Sequence, residues 1–390
     1  MSRPALTIGL MWHSMNSDNL GVGALTISHM AILDDIGDTL GVDLNYVVLG
    51  WTDPRPPYMT APNLRVDAFR TRDFVTGGLW KRIRRCDIIL DIGAGDSFTD
   101  IYGMKRAATI IGAKIQTLLA GRPLILSPQT IGPFNKPWVR MIARIVMGRA
   151  RAVVTRDALS TGFLDEMGYK GTRIEATDVA LRLPYGPPPY PATDRIRVGI
   201  NVSGLLMSGG YSQDNQFGLT VDYPALIDDI AGYFLARENV ELHFVGHVQS
   251  DTQPLEDDQR ASEALAAKHA GTVLAPVFGS PSEAKSYIAG LDYFMGARMH
   301  ACIAAFSSGV PVLPMAYSRK FAGLFGTLGF DELADLKAHD NDEVMARVRD
   351  GFENRAARKQ GMDAAYAHGR DKLAAYEAVL EAELSRIAAR

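Results

Sequence analysis

Residues 86–95 read Cys86-Asp87-Ile88-Ile89-Leu90-Asp91-Ile92-Gly93-Ala94-Gly95, and this stretch decides the fold class. Its aliphatic run has no polar face, so a strand built from it must be covered on both sides, as in a parallel sheet. The glycines behind it permit a tight exit into whatever follows. The same pattern recurs outward in both directions, at ALTIGLMW (5–12), LNYVVLG (44–50), RPLILSP (122–128) and ARAVVTR (150–156). Amphipathic stretches at 103–120 and 157–167 predict helices between them. Strand and helix in alternation predict an α/β, doubly wound, mainly parallel sheet.

The rhythm breaks at LPYGPPPYPATD (183–194), where prolines can continue neither a helix nor a central strand and read as a stiff linker. It then restarts with RIRVGINV (195–202), VELHFVG (240–246), TVLAPV (272–277), LDYFMGA (291–297) and VPVLPMAY (310–317). Helices are expected near 223–237, 256–269, 281–289 and from 299. The expectation is two facing Rossmann-like domains, 1–186 and 187–390, with a ligand cleft between them and a closing C-terminal helix. A chain of 390 residues is long enough for two cores. Its composition, 47% hydrophobic and 22% charged, is that of a globular protein.

A net charge of −3 offers no overall field for nucleic acid or an anionic membrane, so an anionic substrate would need local cations. Cys86 and Cys302 sit in apolar runs and read as reduced core residues; no metal-binding Cys/His cluster is visible. The amino terminus reads as a first strand and not a signal peptide, and no apolar stretch of roughly 20 residues suggests a membrane span. A cytoplasmic protein, at most peripheral to the inner face of a membrane, is expected.

Ligands of parallel sheets bind beyond the carboxyl ends of strands, where helix amino termini favour anions. The first exit loop, 16–25, carries Gly21 and Gly23, which allow close backbone approach; without a third glycine it is no dinucleotide fingerprint. The second, 91–100, places Gly93 and Gly95 before Asp96 and Ser97. A carboxylate there suits a sugar hydroxyl better than a phosphate, and Asp96 or Ser97 could equally cap a helix. The third, 127–134, offers Gln129 and Thr130 before the Gly132-Pro133 turn. The fourth puts Arg156 at a strand end with Asp157 beside it, able to meet an anion or to lie solvated on the surface.

The strongest constellation is LDYFMGARMHACIAAF (291–306), in which Arg298 and His300 stand between two buried elements, a costly placement without a ligand or partners. Ser318-Arg319-Lys320 adds a second cationic exit. Arg298 suits bidentate contact with carboxylate or phosphate, Lys320 acts as a point charge, and His300 could move a proton near neutrality. His247 is a weaker candidate of the same kind. His243 reads as packing and His13 as a strand-exit residue with either role. The polar, glycine-rich loop 208–218 reads as an acceptor flap or a plain surface loop.

The ordered set GVGAL, DIGAGDSFTD, SPQTIGPF, TRDALS, ATDVAL and GARMHACIAAFSSGVPVLPMAYSRK resembles the polysaccharide pyruvyl transferase family from about residue 8 to residue 330. Its most specific element is Arg298-x-His300, then Gly-Val-Pro, then Tyr317-x-x-Lys320. The resemblance implies a fold like that of one large glycosyltransferase class (GT-B). It also implies transfer of the pyruvyl group of phosphoenolpyruvate to two hydroxyls of a saccharide as a cyclic ketal, in exopolysaccharide or cell-envelope biosynthesis. The partners implied are phosphoenolpyruvate and a saccharide acceptor, free, nucleotide-linked or lipid-linked, with no nucleic acid and no metal or redox cofactor. By resemblance and residue type, Arg156, Arg298 and Lys320 hold the donor, and His300 is the acid. Asp96 is the base with His247 behind it, and Gly21, Gly23, Gly93, Gly95 and Gln129 line the substrate.

Two motifs depart from the family's. Asn-x-Gly-Asp becomes Ser17-Asp18-Asn19-Leu20-Gly21 with no Asp after the glycine, and the triple-glycine loop is Gly93-Ala94-Gly95. A sugar-nucleotide glycosyltransferase and a non-catalytic glycan-binding relative are the competing readings; a nicotinamide oxidoreductase would want the missing third glycine.

Overall fold

A computed structural model describes residues 3–389. These fold as two compact units, the first comprising residues up to Ser17, Leu25–Arg182 and those from Gly369 onward, the second Asp18–Ala24 and Leu183–His368.

In the first unit, β1 (Ala5–Met11), α1 (Leu20–Leu40, whose first turn to Ala24 belongs to the second unit), β2 (Asp43–Leu49), β3 (Leu64–Val66), α2 (Gly78–Ile83) and β4 (Ile88–Asp91) are followed by α3 (Met104–Leu119) and β5 (Leu124–Gln129). Then come α4 (Pro137–Met147), β6 (Ala152–Thr155), α5 (Ala158–Glu166) and β7 (Arg173–Glu175). The strands form one parallel sheet in the order β3-β2-β1-β4-β5-β6-β7. All four residues of β4 are buried, as expected for a run without a polar face.

The second unit repeats the plan. Its elements are β8 (Ile196–Asn201), α6 (Gly204–Met207), α7 (Tyr223–Leu235), β9 (Val240–Phe244), α8 (Asp258–Lys268), β10 (Val273–Leu274), α9 (Pro281–Ile288) and β11 (Tyr293–Gly296). They continue with α10 (Met299–Ser307), β12 (Val312–Ala316), α11 (Arg319–Thr327), β13 (Ala334–Asp335) and α12 (Asn341–Glu353). Its sheet is also parallel, in the order β10-β9-β8-β11-β12-β13. Each core is a sheet face packed against helices, with Val198, Ile200, Met295 and Leu313 fully or almost fully buried in the second. Burying such a side chain contributes about 1.5–3 kcal/mol. In each sheet the strand order reverses at one strand, β1 and β8, and the rule for open parallel sheets places ligands outside those strands' carboxyl ends.

Two expectations about domain limits differ from the structure. The proline segment 183–194, read as a stiff linker, is packed against the second unit. The Leu183 carbonyl accepts from Lys285 at 2.9 Å, Gly186 N donates to Ser286, and Tyr190 donates to the Tyr287 carbonyl at 2.6 Å, so the segment packs on α9. The C-terminal helix α13 (Arg355–Ala388) belongs to the second unit only up to His368. Beyond that, Tyr376 bonds His29 and Ser127, and Lys372 pairs with Glu175, all within the first unit. By length and composition alone α1 could cross a membrane, but 78% of its apolar window is buried in the fold.

Candidate functional site

In the first unit, β4 delivers Asp91 to the sheet edge fully buried, with its carboxylate 2.7 Å from the equally buried Lys114 of α3. Burial pushes Asp91 up and Lys114 down, each against the attraction of the other. The same carboxylate oxygen accepts from Gly93 N at 2.9 Å and anchors the turn that follows. Gly93, Ala94 and Gly95 have φ of 54°, 50° and 84° in succession. This region suits glycine, so Ala94 is held there under local strain. A Cβ on Gly93 would meet Gln129 Oε1 at 2.2 Å, so only glycine fits beneath that side chain. Gln129 is buried and donates to the Asp91 carbonyl at 2.6 Å. Asp96 is half-buried and accepts from Tyr102 at 2.7 Å. It follows the short turn Gly93–Gly95 directly, and Ser97 receives Arg106.

Arg156 also lies on this rim, where it is only 3% exposed and paired with a carboxylate. Its guanidinium reaches Asp178 at 3.0 Å and Thr130 at 2.9 Å. Asp157 caps α5 through Ser160 N and accepts from Thr130, so it orients the arginine's partner. The structure thus gathers Gly93, Gly95, Gln129 and Arg156 on one edge, with the arginine's charge compensated.

In the second unit, Gly21, His247, Arg298 and His300 come together. A Cβ on Gly21 would lie 2.3 Å from His300 Nδ1 and 2.7 Å from its Cγ, so the imidazole rests directly on the first turn of α1. That turn is fastened by an antiparallel bridge from Asn19 to Val248, by Leu20 N donating to the His247 carbonyl at 3.2 Å, and by Ser250 donating to Asp18 at 2.7 Å. Gly23 is buried two residues further along. His247 is buried too. Desolvation, with His300 and Arg298 nearby, lowers its pKa to about 3, so its ring is neutral at physiological pH.

Arg298 is locked. It contacts Asp258 through Nε at 3.1 Å and a terminal nitrogen at 2.8 Å, and also donates to the Glu256 carbonyl at 2.8 Å. Burial opposes its charge, but the Asp258 carboxylate more than offsets this and the guanidinium stays protonated. Asp258 further accepts from Gly204 N, His247 N and Val248 N, tying together the exits of β8, β9 and β11.

Helix caps distinguish the two cationic exits. Ser203, Asp222, Asp257, Ser280 and Asp340 each accept from the first turn of α6, α7, α8, α9 and α12. Arg298 and Ser318, which precede α10 and α11, make no such side-chain bond. These two helix starts carry His300 and Lys320 in their first turns, at the positive end of the helix dipole. The loop 208–218 reaches the same rim: Tyr211 bonds Glu256, and Phe217 stacks edge-on against Tyr317 at 5.2 Å.

Sequence reading found the glycines and the His300 turn but missed Asp258, Asn201, Asp178 and the Asp91–Lys114 pair. Asn201 accepts from Arg298 N at 2.9 Å, and its mates lie 57 and 97 residues away in the chain. Asp258 looked like one more acid at a helix start, and Lys114 sits in an apolar helical run that gives no hint of a buried partner. His13 and His29 form a buried pair at 3.0 Å, continued by Tyr376 at 2.6 Å from His29. His243 packs against Tyr287 and Glu241, as a structural residue does. Among the described residues, no group of three or more His, Cys, Asp or Glu is placed to hold a metal ion.

Comparison with known proteins agrees with this architecture. HepE from Anabaena, solved in complex with UDP-glucose, superposes with a TM-score of 0.58 at 12% identity, covering 97% of this chain and 100% of that one. A UDP-GlcNAc 2-epimerase from Neisseria meningitidis, bound to UDP-GlcNAc, gives 0.59 at 8% identity with the same coverage. At such identities the likeness establishes the fold, two Rossmann-like units of the GT-B kind. The amylovoran biosynthesis protein AmsJ of Erwinia amylovora is 22% identical over 289 residues, 70% of this chain and 67% of AmsJ. The model of the polysaccharide pyruvyl transferases matches residues 41–319, a span that includes the exit loops carrying Asp96, Gln129, Arg156, His247, Arg298 and His300. This chain belongs to the polysaccharide pyruvyl transferase family.

Proposed function

We propose that the protein transfers the pyruvyl group of phosphoenolpyruvate to a saccharide of a polysaccharide or its precursor, closing a ketal and releasing phosphate. The observation that carries this reading is the placement of His300 against Gly21 at the uncapped start of α10, with Lys320 at the uncapped start of α11. A donor bearing both phosphate and carboxylate suits two helix starts of this kind. Lys320 supplies charge there, while Arg156 and Arg298, each paired with an aspartate, stand at their own strand exits.

In this reading His300 protonates the methylene carbon C3 of the donor, leaving C2 electron-poor. A sugar hydroxyl adds at C2 and gives up its proton to a base, the C2–O bond to phosphate breaks as that base returns the proton to the departing phosphate, and a neighbouring hydroxyl adds in its place as the ring closes, its proton restoring His300. Asp96 is the base; His247, neutral and buried, holds its place beside His300. The work would be done in the cytoplasm.

Phosphate release from phosphoenolpyruvate across a panel of saccharides, run beside nucleoside diphosphate release from UDP-sugars, tests the assignment. Acceptor-dependent phosphate release supports it. Diphosphate release without consumption of phosphoenolpyruvate would make the protein a glycosyltransferase, and neither release, with no thermal stabilisation by phosphoenolpyruvate, a glycan-binding relative.

A further inference from the structure

From Ile101 to Arg156 the chain holds ten Lys and Arg residues and no Asp or Glu, although the whole protein carries a net charge of −3. Two of the ten are buried against carboxylates, Lys114 on Asp91 and Arg156 on Asp178. Of the others, Lys105, Arg106, Arg140 and Arg144 lie on α3 and α4, which pack side by side, and Arg122, Lys136, Arg149 and Arg151 lie just outside their ends. On α4 the inner face is conventional, with Val139, Ala143, Val146 and Met147 buried. Its outer face is not. Trp138, Met141 and Ile145, spaced to share one side of the helix, are 52%, 57% and 48% exposed. Exposed Lys136, Arg144 and Arg149 flank this apolar ridge. The helix start is held rigidly, because Asp100 accepts from Asn135 N and Lys136 N at 2.9 Å each.

We propose that α4 is a docking helix for an anionic phospholipid bilayer, with Trp138, Met141 and Ile145 entering the headgroup boundary and Lys136, Arg144 and Arg149 meeting lipid phosphates. An aromatic and aliphatic ridge bordered by cations is the pattern of helices that lie in a membrane interface. The charge distribution argues against a second copy as the occupant. A two-fold contact sets the same patch against itself, and here it would oppose Lys136, Arg144 and Arg149 with their like charges. The ridge also begins in the first turn of α4, directly after the loop that leaves β5 beyond Gln129, so docking brings that loop to the bilayer surface. The docking does not depend on the transfer chemistry.

The test is co-sedimentation of the full chain with vesicles of phosphatidylglycerol in phosphatidylcholine, and of phosphatidylcholine alone, at low and high salt. The expected result is salt-sensitive binding to the anionic vesicles with a blue shift of the Trp138 emission. Lys136→Glu/Arg144→Glu/Arg149→Glu should weaken binding on the order of a hundredfold. Trp138→Ser/Met141→Ser/Ile145→Ser should weaken it about tenfold or more. Both should keep the parent's melting temperature and its turnover of a water-soluble acceptor. Equal binding to neutral and anionic vesicles, or variants that bind like the parent, would overturn the proposal. So would a parent that sediments as a dimer and a ridge variant that sediments as a monomer, which would assign the face to self-association.

Discussion

Replacing Gly21 with Ala isolates the contact on which the proposed chemistry rests. The added Cβ would lie 2.3 Å from His300 Nδ1, 2.7 Å from Cγ and 2.9 Å from the His300 Cβ. Ordinary carbon contacts begin near ~3.5 Å, so the imidazole must retreat by about 1 Å. Ring rotation alone does not relieve the clash, because the histidine's own Cβ is among the close atoms. A displacement of ~1 Å at a reacting group costs on the order of a hundredfold in rate. Stability should change little: Ala favours a helix by about 1 kcal/mol over Gly, while overpacking costs about 1–3 kcal/mol. The assay is kcat/KM for phosphate release from phosphoenolpyruvate, with melting temperatures as a control. His300→Ala alone should lose about a hundredfold or more, as removal of a general acid does. The decisive comparison is Gly21→Ala in the His300→Ala background, where the imidazole that clashed is gone and the new methyl should cost almost nothing. Independent, additive losses would refute the idea that Gly21 acts through His300, and a Gly21→Ala enzyme within a few-fold of the parent would remove His300 from the reaction.

Three further outcomes are expected. Lys114→Met strands the buried Asp91 carboxylate and should cost about 3–5 kcal/mol in urea unfolding, whereas Asp91→Asn/Lys114→Met should recover at least half of that loss; a double variant no better than the single one would contradict the pairing. Burial lowers His13 to about 3 and His29 well below its ordinary value. Unfolded imidazoles take a proton near ~6.5 while these two do not, so stability should hold above that pH and fall by up to ~1.4 kcal/mol per unit per group on acidification; His13→Gln/His29→Gln should flatten the slope, and an unchanged slope would contradict the assignment. Desolvation lowers Lys285 to about 7, below its unfolded value, so the parent should gain stability as pH rises through the alkaline range above 7; Lys285→Met should lose that gain, and parallel pH profiles would count against it.

The long strands and the helices between them were legible because each is a run of one character. β4, β5 and β6 are wholly buried strands led by aliphatic residues, with their polar residues Asp91, Gln129 and Thr155 at the carboxyl ends, and their exits fall where the glycines and cations stand. The edge strands β3, β7, β10 and β13 have two or three residues each, too few to show a period. α4 was not anticipated, since Trp138 and Met141 look like core residues in a linear reading and only the folded helix turns them outward. The site divided in the same way. His300 and Gly21 announced themselves by residue type, whereas their contact spans the chain. Arg156 and Arg298 were read as cations awaiting an anion; each already holds one, in Asp178 and Asp258, because a buried guanidinium must be paired whether or not a ligand is bound.

Running the transfer reaction in deuterium oxide tests the central claim most directly, by mass spectrometry and NMR of the pyruvylated saccharide. A donor protonated at C3 by His300 must yield a ketal methyl group carrying a solvent-derived deuterium, with one phosphate released for each pyruvyl group gained. A product without deuterium in that methyl, or one that gains a sugar residue and not a ketal, would contradict the account.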